Sequence, residues 1–223
     1  MRAKLSVIIP TLNAASGLER SLPSLAEGLQ VGLIRQLILS DGGSDDATKQ
    51  IADAAGAVFL TGPASRGGQL RRGAEVAEGE WLLFLHADSV LPVGWADAVI
   101  AHISTGAPAA FRLKFDGVGL MHKVVAGWAN LRSRVFSLPY GDQGLLVSRK
   151  DYDLAGGFED IPLMEDVAMT RALTKRITLL PLSVTTSAER YERDGWLRRG
   201  RRNLGLLLRY LCGANPENLA RRY

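Results

Sequence analysis

Apolar positions in the first half of the chain come in short runs separated by amphipathic stretches. Residues 5–10 (LSVIIP) are a β-branched apolar run stopped by a proline, the pattern of a buried strand. Residues 14–29 place Leu18, Leu22, Leu25 and Leu29 at helical spacing, with Pro23 weakening the middle. A second strand is expected at 33–40, ahead of the polar stretch DGGSDD, and a helix at 46–56 with Gly56 as its stop. A third strand at 57–61, a loop at 62–68, a helix at 68–79 and a fourth strand at 80–87 follow. Strand and helix thus alternate with a period of about 25 residues, which argues for parallel βαβ units with helices on both faces of a sheet.

The second half is less regular. Helices are expected at 91–104, 119–136 and 165–176, strands at 109–115 and 144–152, and one or two strands within 177–187. No repeat or linker interrupts the pattern. The simplest organisation is one α/β domain over residues 1–190 with a helical tail over 191–223.

Composition narrows the class. The 223 residues are 47% apolar and 22% charged, an ordinary globular balance that does not suggest disorder. Cys212 is the only cysteine, which excludes an internal disulfide and a cysteine-based zinc site. The basic, then apolar, N-terminus meets Pro10 too soon for a signal peptide. No run approaches the roughly 18–20 apolar residues needed to span a membrane, so the expected location is cytoplasmic. The net charge of +4 is unevenly spread: residues 190–223 carry +6, with nine arginines against Glu192, Asp194 and Glu217.

In parallel sheets, ligands bind at the carboxyl ends of strands. Thr11 and Asn13 follow the first strand, Asp41 the second, Arg66 to Arg72 the third, and His86 and Asp88 the fourth. Singly, each has an ordinary structural explanation: an aspartate in SDGGS serves as a turn or cap residue, and arginines opening a helix serve as a solvated face. Their succession at four strand ends is what those separate explanations do not predict.

The stretches VIIPTLN, LSDGGSDDAT, GQLRRGAEVAEGEWLLFLHADS and GGFEDIPLMED resemble the family 2 glycosyltransferases, over most of residues 4–190. The resemblance implies the GT-A fold of nucleotide-diphosphate-sugar transferases: α/β, with a mixed, mostly parallel central sheet and helices on both faces. A narrower likeness, carried by DGGS, LHAD, PYGDQG, PLMED and TSAERYERDG, is to the bacterial subgroup associated with arsenosugar biosynthesis.

What the family implies attaches to particular residues. Asp88 matches the last aspartate of the metal-binding motif, and His86 stands where the family usually has the first. The two would hold Mg2+ or Mn2+, and with Ala87 they would line the nucleotide-sugar site. Mg2+ is served by one or two carboxylates plus substrate phosphates, and Mn2+ tolerates an imidazole nitrogen. Asp41 matches the aspartate that accepts from the nucleotide base, suiting the uracil imide or the guanine N1–H edge, with Pro10 and Thr11 as the adjoining wall and Asn13 beside them. Arg66, Gln69 and Arg72 fall on the nucleotide side, Arg66 being the first choice for a diphosphate contact.

Inverting transfer also needs a base for the acceptor hydroxyl. Acids in a first helical turn are favoured by the helix dipole alone. The family match makes Asp166 the base, with Glu165 as an orienting or alternative carboxylate, and GGF (156–158) a flexible turn for acceptor approach. Asp142 and Gln143 in PYGDQG are acceptor-side candidates. Asn130, Arg132 and Arg134 face either the same cleft or solvent.

In the tail, Leu197, Leu204, Leu208 and Leu211 share one helical face and arginines occupy much of the rest. That suits a docked helix with solvated arginines, contact with anionic lipid that would place the protein peripherally at the inner membrane face, or phosphate contact through Arg190 or Arg193. No nucleic-acid-binding motif accompanies the charge. The expected activity is a single, metal-dependent, inverting sugar transfer from a UDP- or GDP-sugar to a small-molecule or lipid-linked hydroxyl. Two alternatives stand: a sugar-phosphate nucleotidyltransferase, opposed by the absence of a cation in PTLNAASG, and a non-catalytic nucleotide- or sugar-binding module with a decayed metal site, suggested by His86.

Overall fold

The computed structural model describes residues 4–221. The outermost residues of the two expected segments, 1–3 and 222–223, lie outside the described residues. Strands β1 (Leu5–Thr11), β2 (Ile34–Asp41), β3 (Val58–Thr61), β4 (Trp81–Phe84), β5 (Ala109–Phe115), β6 (Leu145–Ser148) and β7 (Thr178–Thr186) form one sheet in the order β3-β2-β1-β4-β6-β5-β7. The half from β3 to β4 is parallel; β6 runs antiparallel to both β4 and β5, and β7 pairs in parallel with β5. Strand order reverses at β1, with β2 and β4 on its two sides, so the crevice beyond the carboxyl ends of β1 and β4 is the topological switch point.

The central strands read as continuous apolar runs because both their faces are covered. Leu5, Val7, Ile9, Leu39, Leu83 and Leu85 point to one side, against α1 (Ala15–Ser21) and α5 (Trp95–Ile103). Ile8, Ile38, Leu82 and Phe84 point to the other, against α4 (Arg66–Glu75), Tyr152 of α7 (Arg149–Leu154) and Met169 of α8 (Glu165–Ala172). Gly73 permits the close packing of α4, since a Cβ there would meet Ile8 Cγ2 at 2.5 Å.

The first four strands and the strand at 109–115 fall where the apolar pattern puts them. Pro23 divides the expected helix at 14–29 into α1, a 3-10 turn (Leu22–Leu25) and α2 (Ala26–Gln30). Helix α3 (Thr48–Ala54) ends ahead of Gly56, which takes φ +64°. The expected strand at 144–152 stops at Ser148, whose side chain accepts from Asp151 N at 3.0 Å and starts α7. Residues 177–187 form one strand, and its pairing with β5 shifts register opposite Phe111, at Pro181, which an edge strand tolerates.

Helix α6 (Leu120–Phe136) covers β5, and the chain ends in α9 (Glu189–Asp194), α10 (Trp196–Leu211) and α11 (Pro216–Ala220). Leu197, Leu204, Leu208 and Leu211 face outward, and α10 buries Arg199, Leu206 and Leu207 instead. Two contacts set this rotation: Trp196 packs on Phe115 and Tyr191, and Arg199 Nη1 meets Asp194 Oδ2 at 2.6 Å. Leu206→Ala should therefore cost about 2–4 kcal/mol in denaturant unfolding, while Leu208→Ala stays within about 0.5 kcal/mol. Equal costs would contradict the observed rotation.

Candidate active site

A cleft of about 610 Å³ opens at the carboxyl ends of β1 and β4. Of the residues expected on the nucleotide side, Pro10, Thr11, Asn13, Arg66, Gln69, His86, Ala87 and Asp88 line it. Asp142, Glu165 and Asp166 line it as well. Asp41, Arg72 and Gln143 do not line it.

Asp41 is spent on its own turn. Its Oδ1 accepts from Thr11 Oγ1 at 2.8 Å and Ser44 Oγ at 2.5 Å, and its Oδ2 accepts from the backbone N–H groups of Gly43 at 2.8 Å and Ser44 at 2.7 Å. Burial works against its charge, but these donors outweigh it and hold the carboxyl below the usual range. With four donors already on its two oxygens and 2% exposure, it braces the loop after β2. Ser44 Oγ also accepts from Asn13 N at 2.8 Å, which ties the loops after β1 and β2 together. Arg72 donates to the Asp41 carbonyl at 2.8 Å. Gln69 touches the cleft, yet its Nε2 donates to the carbonyls of Thr11 at 2.7 Å and Ser40 at 2.9 Å.

Gln143 is likewise a strut. It is fully buried, with Nε2 donating to the Phe111 carbonyl at 3.1 Å and Oε1 accepting from Ser133 Oγ at 2.7 Å. Asn130 binds the Leu113 backbone, Arg132 stacks on Tyr140 at 3.3 Å from the ring centroid, and Arg134 is exposed. The GGF turn lies away from the cleft, because Phe158 packs edge-on against Phe84 in the core.

The two adjacent acids of α8 point different ways. Glu165 is 1% exposed and lies 3.6 Å from Arg66 Nη1, at the first turn of α4. Burial, with the Asp166 carboxylate beside it, pushes Glu165 up to about 7 against the pull of Arg66. Asp166 is half-buried, and its Oδ2 accepts from Gly141 N at 2.8 Å. Met164, at φ +69°, makes the left-handed step that starts the helix.

Asp88 and His86 supply one carboxylate and one imidazole. Burial, helped by Arg66 and Arg190 against Asp88, lowers His86 to about 4, so the ring is neutral at pH 7 with a lone pair to offer. Thr186 Oγ1 donates to Asp88 Oδ2 at 3.3 Å. Asp142, raised by burial to about 6, keeps a buried Oδ1 with no hydrogen-bond partner. Among the described residues no three His, Cys, Asp or Glu side chains gather closely enough to hold a metal alone. The donor set therefore fits a hard divalent cation only if substrate oxygens complete it.

The tail closes the cleft with Arg190, Tyr191, Arg199, Asn203 and Leu206. Tyr140, Tyr191, Arg199 and Asn203 were not legible as site residues, because they come from the turn after α6 and from a tail whose rotation the spacing of leucines misassigns.

The sequence profile of the glycosyl transferase family 2 matches residues 6–135, more than half of the chain. The chain belongs to glycosyltransferase family 2. A curated family relative, the "PGL/p-HBAD biosynthesis glycosyltransferase" of Mycobacterium tuberculosis, is 39% identical over 97 residues, which cover 39% of this chain and 36% of that protein. The match thus spans about a third of that relative's length. Among solved structures, the mannosyltransferase PcManGT of Pyrobaculum calidifontis, in complex with GDP-Man and Mn2+, superposes with a TM-score of 0.70 at 16% identity, covering 97% of this chain and 66% of that one. Staphylococcus aureus TarS 1–349 gives 0.61 at 20% identity, covering 85% and 62%. These likenesses establish the GT-A fold.

The buried Glu165 carboxyl gives a pH signature. Below pH 4.5 it is protonated in the folded and unfolded chain alike; between 4.5 and about 7 only the unfolded chain releases its proton, so stability falls as pH rises. Relative to Glu165→Gln, the wild-type protein should lose about 3 kcal/mol between pH 4 and pH 8 in paired unfolding curves. A constant gap would show that folding leaves the Glu165 carboxyl at its ordinary pKa.

Proposed function

We propose that this chain moves a single sugar from a UDP- or GDP-sugar to a hydroxyl acceptor, with inversion at the anomeric carbon. The observation that carries the reading is Asp166: a half-buried carboxylate aimed by Gly141 N and lining the same cleft as His86 and Asp88. An acceptor hydroxyl entering beside Asp166 gives it a proton as the oxygen attacks the anomeric carbon. The bond from that carbon to the diphosphate breaks on the opposite face, and negative charge gathers on the departing diphosphate. Arg66, which lines the cleft at the positive end of the α4 dipole, would receive that charge.

Asp88 and His86 would hold Mg2+ or Mn2+ together with donor phosphate oxygens, and the ion would neutralise charge on the leaving diphosphate. Glu165 keeps Arg66 and the first turn of α8 in place and stands back from the acceptor. The likeness of the motifs to the arsenosugar-associated subgroup supports a small-molecule acceptor, and a lipid-borne hydroxyl is the other class. A non-catalytic binding module is the second reading, favoured by the lack of a three-ligand cluster among the described residues.

Release of UDP or GDP from a panel of nucleotide-sugars, with water or added alcohols as acceptor, tests the proposal. Asp166→Asn should lower turnover by about 10²–10⁴-fold and leave nucleotide affinity unchanged. Turnover of the wild-type protein that survives this substitution would remove Asp166 as the base. Nucleotide binding without turnover of any donor would favour the binding module.

A further inference from the structure

We propose that the outer faces of α6 and α10 form a basic, apolar surface that seats on an anionic lipid bilayer. Helix α6 turns Leu120, Val124, Trp128, Leu131 and Val135 to solvent, each at least half exposed. Their spacing of four, four, three and four residues makes one continuous stripe along the helix. The opposite side of α6, with Ala126, Ala129 and Ser133, is the one that is buried. Helix α10 packs beside α6 and repeats the arrangement, with Leu197, Leu204, Leu208 and Leu211 outward. Apolar rows on two adjacent helices exceed the scattered surface leucines of an ordinary monomer.

The charge on this face selects its occupant. Neither helix contains an aspartate or a glutamate. Lys123 and Arg134 flank the α6 stripe, and Arg198, Arg201 and Arg209 flank that of α10, all of them exposed. A second copy of the chain would set these cations against their own kind. An anionic bilayer answers both features: headgroups neutralise the arginines, the leucine rows enter the acyl boundary, and Trp128 occupies the interface that tryptophan prefers.

The same helices border the cleft from within. Arg199, Asn203 and Leu206 of α10 line it, and the Tyr140–Asp142 turn follows α6 directly. A bilayer docked on the outer face would therefore lie near the acceptor side. The inference that the acceptor hydroxyl is carried by a membrane lipid rests on the transfer reading above; the lipid-binding surface does not.

Vesicle flotation of the full chain tests the surface without any turnover. Binding is expected to vesicles containing phosphatidylglycerol and not to pure phosphatidylcholine, to weaken with salt, and to shift the tryptophan emission to the blue. Trp81 and Trp95 are buried and Trp196 is packed on Phe115 and Tyr191, so Trp128→Phe should remove most of that shift. Arg201→Glu with Arg209→Glu should lower the partition coefficient by about tenfold or more. Leu204→Ser with Leu208→Ser, at exposed positions, should do the same while leaving the melting temperature and nucleotide binding unchanged. No binding to anionic vesicles at low salt, or binding indifferent to both double variants, would overturn the proposal. So would a dimer in solution that Trp128→Ser dissociates. Vesicle binding by a protein that turns over no nucleotide-sugar would keep the surface and remove only the lipid acceptor.

Discussion

Glu165 keeps its carboxyl group inside the protein, 3.6 Å from the Arg66 guanidinium, where the first turn of α8 meets the first turn of α4. Because that side chain points inward, its neighbour Asp166, one helical step around, points at the cleft and takes the Gly141 N–H. The turn so fixed, Tyr140 to Gln143, is held from beneath by Gln143 on the Phe111 carbonyl and by the ring of Tyr140 on Arg132. Arg66 keeps a third of its side chain exposed and is tied to an acid near its neutralisation point. An anion entering the cleft would then compete for Arg66 against a partner that protonation can silence. One buried carboxyl thereby turns Asp166 toward the cleft and holds Arg66 at its edge.

The sheet supplies the frame for this arrangement. Its parallel half delivers the loops after β1, β2, β3 and β4 to one edge, and Asp41, Ser44, Gln69 and Arg72 lace the first three together by bonds between side chains and backbone. The antiparallel insertion of β6 between β4 and β5 brings the turn before β6 to the carboxyl end of β4, so Asp142 reaches the same cleft as His86 and Asp88. The terminal helices add a third wall, whose polar residues face the cleft and whose apolar row faces out.

Much of this frame was legible in the sequence, and the reasons are local. Runs such as LSVIIP and AAFRLKF bury both faces or alternate strongly, and Gly56 and Pro23 punctuate helices in ways backbone sterics dictate. Eight of the ten residues expected on the nucleotide side line the cleft, because strand ends at a switch point bring them there. Asp41 and Gln143 are bonded within the protein and do not line the cleft, and spacing could not foretell it: a polar residue at a strand end or in a turn has the same spacing whether it serves a ligand or its own backbone. The signal that could have separated them is Ser44, three residues after Asp41, which completes an aspartate-centred turn. The rotation of α10 was invisible because leucines occupy both of its sides, and only the packing of Trp196 and Arg199 decides between them.

The central claim is that the cleft between these walls receives a nucleotide diphosphate. Calorimetric titration of UDP and GDP, with and without Mn2+, tests it most directly, using the wild-type protein, Asp88→Ala and Arg66→Gln. The account predicts that one of the two nucleotides binds, that Mn2+ tightens it, and that each substitution weakens binding by about tenfold or more, or about 1.4 kcal/mol. Binding of neither nucleotide, or binding indifferent to Mn2+, Asp88 and Arg66 alike, would contradict it.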